Sequence, residues 1–101
     1  MRLTKELEER LSEVPLYATD AMPVREVLAV IFHEFTPWTW YVVEAEKQDD
    51  DWLLFTWCKS GFGPVYDEWG YVTINQLIEL PDISFYIPSG MQIKSNGEVL
   101  E

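Results

Sequence analysis

The chain predicts an α+β fold, an antiparallel sheet of four or five strands with an N-terminal helix and a second short helix packed on it. Three observations lead there. The elements follow in the order helix, strands, helix, strand with short connections, which gives segregated α and β parts rather than alternating βαβ units. A length of 101 residues suits a single small domain over the whole chain. Leu, Ile, Val and Phe number 30 and 15% of residues are aromatic, so a packed core can form despite a formal net charge of -11.

The first helix is carried by Leu3, Leu7, Leu11 and Val14, spaced by four, four and three, with Lys5, Glu6, Glu8, Glu9, Arg10 and Glu13 on the other face. Thr4 is its expected N-cap, and Pro15 is expected to end it because Val14 before a proline is pushed out of helical geometry. PLYATDAMP then connects. Residues 24 to 29 fit either a helical stripe or a strand. The β-branched run VLAVIF favours a strand over about residues 27 to 35. Thr36 and Pro37 make a tight turn into a second strand, residues 38 to 46, which pairs with the first as a hairpin. Alternation puts Trp38, Trp40, Val42 and Glu44 on one face and Thr39, Tyr41 and Val43 on the other.

Gln48, Asp49, Asp50 and Asp51 supply turn chemistry before WLLFTWC, whose near-continuous apolarity marks a central strand. SGFGP breaks the chain, and a short strand over residues 69 to 72 runs into TINQLIEL. There Thr73 and Gln76 form a capping box, and Val72 and Leu77 occupy the two positions of a hydrophobic staple, so a short helix starts at this point. Pro81 stops it, residues 83 to 87 add a last strand, and the tail from about residue 89 has few anchors.

Charge and composition exclude several functions. No apolar run approaches the roughly 18 residues of a membrane helix, and the start, MRLTKELEERL, is a charged amphipathic stretch rather than a signal peptide. A cytoplasmic protein off the membrane is therefore expected. The single Cys58 makes neither an internal disulfide nor a thiolate zinc site, in keeping with a reducing compartment. Acidic residues outnumber basic ones 11 to 5 in residues 1–50 and 7 to 2 in residues 51–101, so the field repels phosphate backbones and disfavours direct nucleic-acid binding. No cofactor signature occurs: GFGP has a proline where a phosphate loop needs N–H donors.

Candidate chemistry is sparse. His33, the only histidine, could act as a general base if Glu44 or Glu46 oriented it, against the plainer reading of a structural histidine. Asp49, Asp50 and Asp51 are consecutive rather than alternating and lack the glycine and distal glutamate of a calcium loop, which favours a solvated turn. Asp67 and Glu68 add two more carboxylates before the fourth strand. Cys58 has only Lys59 beside it to lower its pKa, as a nucleophile would need. Five tryptophans and five tyrosines are more than a core of this size requires. Trp38, Trp40, Trp52 and Trp69 are accordingly candidate contacts for a protein partner, with Asp49, Asp50, Asp51, Asp67 and Glu68 as steering charges.

The order PLYAT, FTPWTWYVVEAE, LLFTW and WGYVTINQLIEL resembles a domain-of-unknown-function family of small bacterial proteins carried on plasmids and phages. The likeness spans about residues 11 to 80. Its most specific parts are Trp38, Thr39, Trp40 and Tyr41 with Glu44, and Gly70 and Tyr71 leading to Leu77 and Glu79. The chain departs from that pattern at Thr56 and Trp57, where a glycine is usual, and at Thr73 and Ile74, where the helix usually starts with serine and leucine. The resemblance implies an origin on mobile DNA and an accessory role in a host cell, and no chemistry. Together with the charge, it leads to the expectation of a non-enzymatic acidic interaction module, of which an anti-defence inhibitor that mimics DNA charge is one form. The alternatives are a small hydrolase using His33 and a carboxylate, and a structural accessory domain.

Overall fold

Local capping decides where the first helix begins. In the computed structural model, which describes residues Met1–Glu101, Thr4 Oγ1 accepts from Leu7 N–H at 3.1 Å and opens α1 (Lys5–Leu11), which buries Leu7 and Leu11. The helix stops short of the expected Pro15 boundary. Val14 has turned its carbonyl to the sheet, where it accepts from Ala45 N–H at 3.0 Å, so it is not available to a helix.

The apolar run that follows is split between two sheets. β1 (Val24–Glu26) and β2 (Ala29–His33) are separate strands, and between them Val27 N–H donates to Met91 O while Leu28 N–H donates to Val42 O. One continuous strand over residues 27 to 35 is thus corrected: the chain crosses from a small sheet to a large one within two residues. β2 forms the expected hairpin with β3 (Thr39–Gln48), Ile31 facing Trp40, although the connection is a longer loop over residues 34–38 and not a tight turn at Thr36 and Pro37.

β4 (Asp51–Lys59), β5 (Glu68–Thr73) and β6 (Ile83–Tyr86) complete a five-stranded antiparallel sheet of order β5-β4-β3-β2-β6. β4 lies inside it, as its apolar run predicts. Between β4 and β5 a 3-10 turn spans Pro64–Tyr66. α2 (Ile74–Ile78) starts at Thr73 with both halves of the capping box formed: Thr73 Oγ1 accepts from Gln76 N–H at 3.1 Å, and Gln76 Oε1 accepts from Thr73 N–H at 2.9 Å. β7 (Gln92–Lys94) and β8 (Val99–Leu100) join β1 in a three-stranded antiparallel sheet of order β1-β7-β8. The tail is therefore better anchored than its sequence suggests, with Met91 and Ile93 buried.

The large sheet is covered on both faces. Leu7 and Leu11 of α1 and Ile74 and Leu77 of α2 close one cluster over Ile31, Val42 and Leu54. On the other face the small sheet brings Ile93 and Met91 onto Val27, Val30 and Val43. A β-bulge shifts the β3 register between Val42, which faces Thr56, and Glu44, which faces Phe55. The extra residue, Val43, flips the alternation. Glu44 consequently joins the face of the small sheet, and the expectation that it shares a face with Trp40 and Val42 is corrected. No helix is long and apolar enough to cross a membrane.

Candidate functional site: an aromatic surface on two loops

Two loops meet at one end of the large sheet, the β2–β3 connection (residues 34–38) and the β4–β5 connection (residues 60–67). Each is held by its own polar groups. His33 Nδ1 accepts from both Phe35 N–H and Thr36 N–H at 3.1 Å, and His33 N–H donates to Trp38 O at 3.0 Å. In the other loop, Ser60 N–H and Oγ donate to Asp67 Oδ1 at 2.9 and 3.2 Å, and Ser60 Oγ accepts from Phe62 N–H at 3.1 Å. The loops touch at Gly61, whose φ is +79° and where a Cβ would collide with the Pro37 ring. Only glycine fits there, on both counts.

This framework holds large apolar side chains in water. Phe35, Phe62 and Tyr66 are 77%, 64% and 63% exposed, and Val65 is 84% exposed. Trp38 is half-buried, stacked on Trp40 with centroids 6.2 Å apart and 18° between planes, and it meets Phe62 at 6.2 Å and 67°. Trp38 separates two shallow open clefts. One of about 370 Å³ is lined by Trp38, Ser60, Phe62 and Tyr66; the other, of about 340 Å³, is lined by His33, Thr36, Trp38, Trp40, Leu80 and Pro81. Contiguous apolar surface presented on ordered loops is the usual mark of a contact site.

Of the four candidate tryptophans, the structure brings together two, Trp38 and Trp40. Trp52 is a core residue, 6% exposed, with Nε1 donating to Glu8 Oε1 at 3.2 Å and Lys47 Nζ 5.5 Å from its ring centroid. It leaves the candidate surface. Trp69 lies on the opposite face of the sheet, stacked on Phe55 at 5.2 Å, with Nε1 donating to Ser95 O at 2.9 Å and the Arg25 guanidinium 4.8 Å from its ring. Its bonds tie the small sheet to the large one.

The carboxylates divide in the same way. Asp49, with φ +52°, and Asp50 make the β3–β4 turn, and Asp51 Oδ1 accepts from Trp52 N–H at 2.7 Å and Asn75 N–H at 3.0 Å, steadying the start of α2. Asp67 clamps the loop under Phe62, and Glu68 is exposed on β5 opposite Cys58. The Cys58 thiol is held above its usual pKa by burial first, then by the charges of Asp67 and Glu68, the reverse of what a nucleophile needs.

His33 does not find a carboxylate partner in Glu44 or Glu46. It follows Ala29 and Ile31 on the helix-bearing face, whereas Glu44 is on the other face, buried, accepting from Tyr17 N–H at 2.8 Å, Thr19 N–H at 2.9 Å and the Thr19 hydroxyl. Glu46 is exposed farther along β3 and accepts from Gln48 Nε2 at 3.1 Å. Nδ1 is occupied by two loop N–H groups, so the contacts His33 makes are those that hold the β2–β3 loop.

Sequence reasoning missed Phe35, Phe62 and Tyr66. A signal was present for the last two: SGFGPVYDE sets Phe62, Val65 and Tyr66 among loop formers, where burial has no regular element to work with. No family model, curated protein or solved structure matches the chain.

Proposed function

We propose that this protein is a non-enzymatic acidic interaction module that docks a basic protein through the Trp38 surface. The observation that carries this is an exposed aromatic patch, built on two hydrogen-bonded loops, in a chain of net charge -11. Aromatic anchors supply much of the energy of protein contacts, and complementary charge supplies rate and partner choice. The net charge already counts all seven basic residues, and four of them are held within the fold. Arg10 pairs with Glu13 and Glu26, Lys47 with Glu8 and Lys94 with Glu98, while Arg25 is buried with Nε donating to Thr19 Oγ1 at 2.8 Å.

The partner class that suits this field is a DNA-binding protein whose phosphate groove the acidic surface occupies, as an inhibitor encoded by a mobile element would. The test is binding kinetics of the chain against a panel of basic DNA-binding proteins. Affinity for the true partner falls at least tenfold between about 50 mM and about 300 mM salt, and DNA competes. Trp38→Ala costs about 2 kcal/mol of binding, mainly as faster dissociation. Salt-independent binding, or affinity indifferent to Trp38→Ala, overturns this function and favours a structural accessory domain.

A further inference from the structure

We infer that the cleft between Trp38, Phe62 and Tyr66 is an aromatic cage for one cationic side chain, a lysine or arginine of the basic partner. This rests on the interaction function above and narrows it from a surface to a chemical group. The first support is the arrangement of the rings. Trp38 and Phe62 meet at 67° with centroids 6.2 Å apart, and Tyr66 lines the same cleft. Trp38 and Phe62 stand edge to face rather than forming a flat apolar shelf, and a cation within about 6 Å of an aromatic face in such a cleft is attracted by the ring quadrupole.

The base of the cleft points the same way. Ser60 is fully buried, and its hydroxyl is already used, donating to Asp67 Oδ1 at 3.2 Å and accepting from Phe62 N–H at 3.1 Å. Asp67 thus sets a carboxylate one side chain behind the aromatic wall, and Glu68 adds a second charge beside it in the chain. No basic residue lines the cleft; Lys59 opens instead onto a neighbouring one with Trp57 and Asp67. An anion would be repelled here, and a purely apolar group would gain nothing from Asp67. A cation on an aliphatic stem matches both the rings and the charge.

The test is a titration of the whole chain, followed by the Trp38 indole and Phe62 amide NMR signals. The ligands are Nα-acetyl-lysine methylamide, its Nε-trimethyl form and Nα-acetyl-arginine methylamide, with the neutral norleucine analogue as reference. The cations are expected to bind weakly but saturably, at least about threefold tighter than norleucine. The tightest ligand identifies the source: trimethyl-lysine a methylated lysine, arginine a guanidinium, plain lysine an unmodified amine. Tyr66→Leu, at an exposed position, should abolish the preference without changing the thermal midpoint. Asp67→Asn, which keeps an acceptor for Ser60, should weaken every cation about threefold and leave norleucine unmoved. Equal binding of cations and norleucine, no binding by any of the four, or a preference that survives Tyr66→Leu overturns the cage. The wider function is scored separately. If the Tyr66→Leu chain still captures a basic protein with the salt and Trp38 dependence above, the interaction module stands and the cage alone has failed.

Discussion

A carboxylate buried to 1% exposure persists only when its oxygens are partnered, and Glu44 meets that condition through Tyr17 N–H, Thr19 N–H and the Thr19 hydroxyl. Its work is to pin the connector after α1 onto the sheet. Glu44→Gln replaces one acceptor by an NH2 group facing N–H and O–H donors, so urea denaturation should show a loss of about 1–3 kcal/mol. Residues 15–23 should also become more sensitive to protease than the rest of the chain. Cys58 gives a pH-dependent expectation. Because burial and two nearby carboxylates raise its pKa, less thiolate exists at any pH than in a free cysteine. Iodoacetamide should therefore modify the folded protein more slowly than the urea-unfolded chain across pH 7 to pH 9, in the range of about 8.5 where free thiols titrate. Glu8 works in the other direction: the Trp52 indole and then Lys47 lower its pKa below 4.5. Its contribution to stability is present above that ordinary value and is lost as pH falls through the lower folded one.

At the scale of elements, local signals were legible and distant ones were not. The α2 start was readable because a capping box is written within four residues, and Thr73→Ala should lower stability by about 1 kcal/mol, read as a denaturation midpoint shift at unchanged slope. The β2–β3 hairpin and the interior place of β4 were equally readable from apolar runs and turn residues. What escaped were features set by partners far along the chain. The bulge at Val43 is defined by its register against Thr56 and Phe55, and the break between β1 and β2 by Met91 and Val42. The end of α1 belongs with these, since Ala45 claims Val14. The candidate site divides along the same line. Trp38 and Trp40 sit at alternating positions of a recognisable strand end, whereas Phe62 and Tyr66 join them only because two loops come together at Gly61 and Pro37. Gly61→Ala should separate the loops and weaken partner binding about tenfold or more, while leaving the large sheet intact by circular dichroism.

At the scale of the whole molecule, two apolar clusters on opposite faces of one sheet divide the labour. The helix-side cluster draws on α1, α2 and five strands and leaves the Trp38 surface at its margin. The other depends on the small sheet and on close fits such as Gly97, with φ +89°, which lies so near the Trp57 indole that a Cβ would strike the ring. Gly97→Ala should cost about 2 kcal/mol or more in thermal or urea unfolding, through both strain and collision. That second cluster also has a history in time. Val24 pairs with Lys94 and Glu26 with Gln92, partners separated by most of the chain. As the protein leaves the ribosome, β1 has nothing to pair with until β7 has been made, so Val27, Val30 and Val43 wait uncovered while the rest of the sheet assembles. Pairings this distant also close slowly, because the intervening loop must first be ordered. In the cell, the interval between synthesis of the first strand and arrival of the seventh is when this chain is most open to chaperones and to misassociation.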